Sequence, residues 1–462
     1  MNSRSSTLPR YLWQICFVAS LGGILFGFDT AVISGTFAMV EQQYNLNQIQ
    51  VGWFGSAALI GAIIGAFMAG GLSDRHGRKP ILLIAAALFF VSALLSAIPP
   101  NFTFLIAARI IGGLGVGMAS VLSPMYISEI SPPHIRGRLV ALYQMSIVLG
   151  IMLAYFSNYL LLADAQPGIA TSHHSFWKKI INIEIWRSMF LVETIPSGLF
   201  FLLLLWIPES PRWLLNNGFV EQAQILFKKL NTELIAPIED KKHQQNQSKS
   251  SILHPQWRKA LLVGLGLSIF GQFTGVNIVI YYGPTILENA GFELDSAVQF
   301  QVLIGIINLI FTAIALWKID KWGRKPLLIG GMTAVFLSLC GIGWLFTSTE
   351  SSGILIVVLL CIYIASLALS INAVIWVLLG EIYPNHIRGQ AMSLATFANW
   401  ASNFGAAFLF PYYVSQVGMS TGFFTFAASC LVAIFFFYKM IPETKGMSLE
   451  DIENYWIHQH KR

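Results

Sequence analysis

Apolar runs of about twenty residues recur along the whole chain, and each can cross a bilayer as a helix. Twelve are expected, at 11–35, 51–71, 80–98, 103–125, 139–162, 187–207, 259–288, 298–319, 326–347, 353–380, 390–414 and 421–441. Lipid offers the backbone no hydrogen-bond partners, so runs of this length must be helical. The composition agrees: 55% of residues are hydrophobic and 11% charged, where a soluble domain carries about 25% charge. The expected class is an all-α membrane protein. Arg4 and Arg10 before the first run imitate a secretory signal, but that run is long, carries Asp29 and lacks a small-residue cleavage site, so it reads as a retained span.

The net charge of +6 sits almost entirely on one side. Of 28 Lys and Arg residues, only four lie off that side: Lys178 and Lys179 in the loop 163–186, Arg109 inside a span and Arg187 at the start of one. The positive-inside rule then predicts both termini in the cytoplasm, and the charge is a topology signal rather than a nucleic-acid footprint. Cys16, Cys340, Cys361 and Cys430 all fall in apolar runs without a CxxC, which points to buried thiols and neither a disulfide framework nor a metal site. Gly61 and Gly65, and Gly112, Gly113, Gly115 and Gly117, suit close helix packing; no strand precedes them and no phosphate-binding lysine follows. No nucleotide, cofactor or catalytic motif is present, so no enzyme activity is expected.

The chain is duplicated. DRHGRKPIL (Asp74–Leu82) returns as DKWGRKPLL (Asp320–Leu328), matching at six of nine positions, and EISPPHIRG (Glu129–Gly137) as EIYPNHIRG (Glu381–Gly389), matching at seven. PESPR (Pro208–Arg212) returns as PETKG (Pro442–Gly446). Three paired motifs in one order predict two six-helix pseudo-symmetric halves, 1–207 and 258–441, joined by a linker, 208–257, and followed by a tail, 442–462. Parallel repeats of this kind are a transporter architecture with the substrate site between the halves. The linker contains an amphipathic helix over Val220–Leu230 and then a polar run, EDKKHQQNQSKSS. The sequons at Asn101 and Asn246 read as chance matches.

Within the spans, ionisable groups are few. A charge at the bilayer centre costs about 2.5–3.5 kcal/mol on insertion scales, so Asp29, Arg109 and Glu193 are functional candidates. Arg109 cannot escape by deprotonation and needs an anion or a wet cavity; Asp29 is the obvious partner. Neutral amides also stand in apolar spans, at Gln144, Gln272, Asn277 and Asn399. Singly, such amides serve as helix-to-helix glue as often as ligand groups.

Together these motifs resemble the sugar porters of the major facilitator superfamily, over nearly the whole length, with the likeness strongest to bacterial proton-coupled members. The resemblance is carried by G-x-x-x-D-R-x-G-R-K at Gly70–Lys79, RIIGGLGVG at Arg109–Gly117, E-x-x-x-x-x-I-R-G at Glu129–Gly137, PESPR, and QFTGVNIVIYY at Gln272–Tyr282. It implies that Asp29 and Arg109 pair and that Asp29 is a proton carrier tuned by Glu193; facilitative animal members hold Asn at the Asp29 position. It implies sugar contacts from Gln144, Gln272, Asn277, Asn399 and the stacking Trp376, with Phe26, Tyr281, Tyr282 and Trp400 as pocket or gate aromatics and Asn372 as an added amide. It implies an ion-pair network that closes the cytoplasmic side, made of Asp74, Arg75, Arg78, Glu129 and Arg136 and their mirrors Asp320, Arg324, Glu381 and Arg388.

Two departures bear on substrate. Xylose-type members carry two adjacent glutamines where this chain has Gly271-Gln272, and a Gly-Pro before the span 10 Trp where it has Asn372-Ala373. Gly271 is expected to open space, and loss of Pro to remove a helix break. The expected function is proton-coupled symport of a monosaccharide or polyol by a monomer in the inner membrane, its partners being the sugar, protons and the bilayer. A facilitative uniporter in which Asp29 and Arg109 are structural stays open as the alternative. A non-transporting sensor fits less well, since the tail is short. An organic-acid carrier should show several cationic pocket residues, and only Arg109 is found.

Overall fold

A computed structural model of the chain describes residues 10–132, 135–163, 184–230, 254–348, 353–384, 387–447 and 449–460. Among these residues the regular structure is entirely helical. The N-terminal half contains α1 (Arg10–Val32), α2 (Phe37–Tyr44), α3 (Gln48–His76), α4 (Arg78–Ala97), α5 (Phe102–Ile130), α6 (Arg136–Ala163), α7 (Ile185–Val192) and α8 (Thr194–Leu204). Two short helices follow, α9 (Pro211–Asn216) and α10 (Val220–Leu230). Then come α11 (Arg258–Gln272), α12 (Val276–Asn289), α13 (Leu294–Trp322), α14 (Arg324–Leu345), α15 (Gly353–Leu369), α16 (Ile371–Glu381), α17 (Arg388–Met440) and α18 (Leu449–His460).

Among the described residues, eleven helical stretches are long and apolar enough to span a membrane, one fewer than the twelve expected. The difference lies in α17, whose 53 residues hold the last two spans and turn at Gly418, a residue at φ +82°. The fold is therefore the twelve-span, all-α arrangement of the sequence expectation. Among the described residues, three spans are interrupted. α7 gives way to α8 at Glu193, α11 to α12 across Phe273–Gly275, and α15 to α16 at Ser370, while α1 ends in a 3-10 turn at Ile33–Gly35. The Ser370 break corrects an expectation: Pro is absent from this stretch, yet Ser370 at ψ −103° still interrupts the helix.

Contacts group the chain into two compact units. One is drawn from Met1–Val32, Ala57–Ser157 and Asp164–Asp240, the other from Ile33–Ser56, Asn158–Ala163 and Lys241–Arg462. In the first unit, α3 and α5 approach backbone to backbone. A Cβ on Gly113 would lie 1.9 Å from the Ala58 carbonyl oxygen, and one on Gly61 would lie 2.1 Å from that of Ile110. Only glycine permits this packing, which in a bilayer replaces the hydrophobic drive as the source of helix association. α10 has the bounds expected from its periodicity and buries Ala223, Leu226, Phe227 and Leu230. In the second unit, α18 docks through buried Ile452 and Trp456, whose indole donates to the Ile382 carbonyl (2.9 Å). The polar run after α10, the loop 164–183 and Asn246 lie outside the described residues.

Candidate functional site

The first constellation is an ion pair inside the first unit. α1 carries Asp29 and α5 carries Arg109, 1% and 2% exposed. Arg109 donates one Nη1–H to Asp29 Oδ1 (2.5 Å) and its Nη2 group to Asp29 Oδ2 (3.3 Å) and to the Asp29 carbonyl (3.0 Å). Its guanidinium also sits 5.2 Å from the centroid of the Phe190 ring. Close to this pair, at the α7–α8 break, is Glu193, also buried and within electrostatic range of both charges. Glu193 Oε1 and Arg109 Nε have no hydrogen-bond partner. The three intramembrane ionisable groups are thus brought together, with hydrogen-bonding capacity left over.

The second constellation is a chain of amides in the second unit. Asn277 donates to Gln272 Oε1 (2.6 Å), and Gln272 donates to Asn399 Oδ1 (2.8 Å). Gln272 ends α11, Asn277 opens α12, and Asn399 reaches them from α17. The break at Phe273–Gly275, with Gly275 at φ +83°, folds the first two toward each other. Three of the five residues expected to contact sugar are therefore in one place. One turn along α17, buried Asn403 donates to the Tyr281 hydroxyl (3.2 Å), and its Oδ1 has no partner. Tyr282 donates to the Ala407 carbonyl (2.9 Å) and packs on Phe37 and Phe410. Trp376 on α16 is 41% exposed, Asn372 is half-buried, and Trp400 is buried. Gln144, on α6 in the first unit, is half-buried, as is Phe26 on α1. Gly271 faces α16: a Cβ there would stand in ordinary van der Waals contact, 3.4 Å from both Ile371 Cγ1 and Ile375 Cδ1.

The third constellation is built twice, at the ends of the spans that carry most of the basic residues. Gly77 and Gly323, at φ +100° and +86°, turn the chain into α4 and α14. The exposed backbone amides at these two helix starts are capped by carboxylates of the third repeated motif. Glu209 accepts from the amides of Arg78 (2.9 Å) and Lys79 (3.2 Å); Glu443 accepts from those of Arg324 (3.1 Å) and Lys325 (3.0 Å). Arg78 pairs with Glu129, and Arg324 with Glu381, both at 3.0 Å. Ser210 donates to Glu129, and Thr444 to Glu381. Burial pushes the Glu209 carboxyl above its ordinary value, against the lowering effect of the amides it caps.

Not every residue expected in this network is paired. Arg78 also reaches Asp74 (3.0 Å), which is exposed. Arg75 and Arg136 have no carboxylate partner among the described residues; Arg136 instead faces the like charge of Arg212. Arg388 donates to the Tyr383 carbonyl (3.1 and 3.2 Å). The Asp320 side chain lies outside the described residues. The sequence reading missed Glu209, Ser210, Glu443 and Thr444, although the PES/PET repeat signalled them, and Asn403, which only its i+4 relation to Asn399 could have suggested.

Comparison with known proteins places this geometry in a family. The family described as "Sugar (and other) transporter" matches residues 15–456. The chain is 38% identical over 488 residues to the D-xylose-proton symporter of Escherichia coli K12, covering 98% of this chain and 97% of that one. It is 39% identical over 463 residues to the arabinose-proton symporter of Bacillus subtilis 168, with the same coverage. A solved structure of the E. coli xylose transporter in a partially occluded inward-open conformation superposes with a TM-score of 0.81 at 36% identity, over 95% of this chain and all of that one. This chain belongs to the sugar transporter family of multi-pass membrane carriers.

Proposed function

We propose that this protein carries a monosaccharide or polyol across the inner membrane together with a proton, by alternating access. The observation that carries the reading is the buried Asp29–Arg109 pair. A guanidinium beside a carboxylate favours its ionised form, and a carboxylate left alone in a dry span takes up a proton. A conformational change that lengthens this contact would therefore load Asp29, and one that restores it would release the proton. Glu193, whose Oε1 has no hydrogen-bond partner, is placed to tune the exchange or to hold the proton between steps.

Gln272, Asn277 and Asn399 would bind hydroxyls: neutral amides donate and accept without a net charge to desolvate. Gln144 would supply a further amide from the first unit, Trp376 a stacking face, and Phe26, Tyr281, Trp400 and Asn372 the remaining wall. The relatives named for xylose and arabinose make aldopentoses the first sugars to test. With the basic ends in the cytoplasm, both termini are cytoplasmic, and the paired networks at Glu129 and Glu381 brace the ends that gate access. Arg75, Arg136 and Arg388, free of described carboxylates here, are available to acids in another conformation. The protein acts as a monomer in this reading.

Uptake into right-side-out vesicles tests the proposal. An imposed inward proton gradient should drive sugar accumulation, and an uncoupler should abolish it. Uptake that ignores both would leave a facilitative carrier and sink the proton step.

A further inference from the structure

Three lysines at the basic end of the second unit lie against aromatic rings rather than acids. Lys325 Nζ lies 5.5 Å from the centroid of Tyr438, Lys439 Nζ lies 5.9 Å from that of Phe435, and Lys318 Nζ lies 3.8 Å from that of Trp317. Among the described residues, none of these ammonium groups is paired with a carboxylate. Two acids at this end are engaged elsewhere: Glu443 accepts from the backbone amides of Arg324, Lys325 and Lys445, and Glu381 is bound by Arg324 and Thr444. The Asp320 side chain is outside the described residues. The three rings face outward, with Phe435 at 67% and Tyr438 and Trp317 at 68% exposure.

The repeat makes the cluster conspicuous. Aligned on the paired motifs, Lys318 falls opposite Leu72, and Lys439 opposite Leu205. Lys325 falls opposite Lys79, which donates its ammonium to the Leu205 carbonyl. The first half therefore has one lysine here, already bonded, and the second half has three without an acid. A signal for orientation alone does not call for this asymmetry.

We propose that the face formed by the start of α14 and the end of α17, which pack together, holds the headgroup of an anionic phospholipid of the cytoplasmic leaflet. The phosphate would sit between Lys325 and Lys439, with acyl chains along Phe435 and Tyr438. Lys318 on Trp317 offers the same pairing at the end of α13. An ammonium held over an outward ring at the end of a span sits at headgroup depth, and a lipid phosphate is the counterion that depth supplies. The inference rests on the orientation proposed above and on neither sugar nor proton.

Native mass spectrometry of the purified full-length protein, titrated with phosphatidylglycerol or phosphatidylcholine, tests it without any transport assay. The wild type should retain phosphatidylglycerol in preference to phosphatidylcholine. With about fivefold expected from each lysine, Lys325→Gln/Lys439→Gln should lower retention about twenty-five-fold. Lys325→Arg/Lys439→Arg should keep it within about twofold, since charge and ring contact both survive. A control pair on the exposed side of α10, Lys228→Gln/Lys229→Gln, should change nothing. Equal retention by the Lys325→Gln/Lys439→Gln variant, or equal retention of both lipids by the wild type, would overturn the proposal. So would displacement of the lipid by equimolar glycerol phosphate, which would mark a site for free anions. A lipid result of either kind leaves the symport reading standing, because that reading is tested by gradient-driven uptake.

Discussion

Arg109 holds Asp29 through three donor contacts between two spans, with both side chains buried. Removing one partner of such a pair strands a buried charge and typically costs about 3–5 kcal/mol, whereas replacing both with apolar groups is often neutral. Arg109→Leu should therefore destabilise the protein strongly, and Asp29→Leu/Arg109→Leu should recover most of the loss in a thermal melt while remaining unable to use a proton gradient. Additive losses in the double variant would show that the two residues do not act as a pair. The amide chain makes a second prediction at this scale. Gln272→Ala removes the shared partner of Asn277 and Asn399, so sugar affinity should fall about tenfold or more, since an unmade buried hydrogen bond costs about 1–3 kcal/mol. Isothermal titration with the transported sugar reads this directly; unchanged affinity would exclude Gln272 from the site. Sequence made both constellations legible as residue types, because a charge or an amide in an apolar run is conspicuous. It could not show that the amides bond to one another, nor that Gly271 faces Ile371 and Ile375. Those are facts of side-chain direction across helices far apart in sequence.

Among the elements, helix α5 depends on glycines that let α3 approach it. Gly113→Ala would press a Cβ into the Ala58 carbonyl, and overpacking of this kind costs about 1–3 kcal/mol. Gly71→Ala meets nothing within 4 Å and should be neutral or stabilising by up to about 1 kcal/mol, by helix propensity alone. A lowered thermal midpoint for the first and not for the second would confirm that the glycines serve packing; equal midpoints would refute it. Spans and the amphipathic α10 were legible from apolar periodicity. The interruptions were less so. Gly275 and Gly418 carry them through positive φ, but Ser370 breaks α15 from α16 with neither Gly nor Pro at that residue. No local signal announced it.

At the scale of the whole molecule, the duplication in sequence is a duplication in geometry. Each repeat sets a positive-φ glycine before a helix, caps that helix with a glutamate from the third motif, and ties an arginine to a second glutamate that also accepts from a hydroxyl. The repeat motifs announced two halves with matched basic ends, but which acid meets which base depends on folding. If these networks set the balance of conformations rather than the binding of sugar, Arg78→Ala and Arg324→Ala should each slow transport at least tenfold, while shifting sugar affinity by less than about threefold. Parallel loss of affinity would place them in the binding machinery instead. The central claim is that the Asp29–Arg109 pair couples sugar movement to a proton, and coupling belongs to the complete cycle. Its most direct test is sugar accumulation against a concentration gradient in proteoliposomes with an imposed pH difference, comparing the wild type with Asp29→Asn. The wild type should accumulate sugar while Asp29→Asn only equilibrates it, with sugar-for-sugar exchange preserved; uphill accumulation by Asp29→Asn would contradict coupling through this pair.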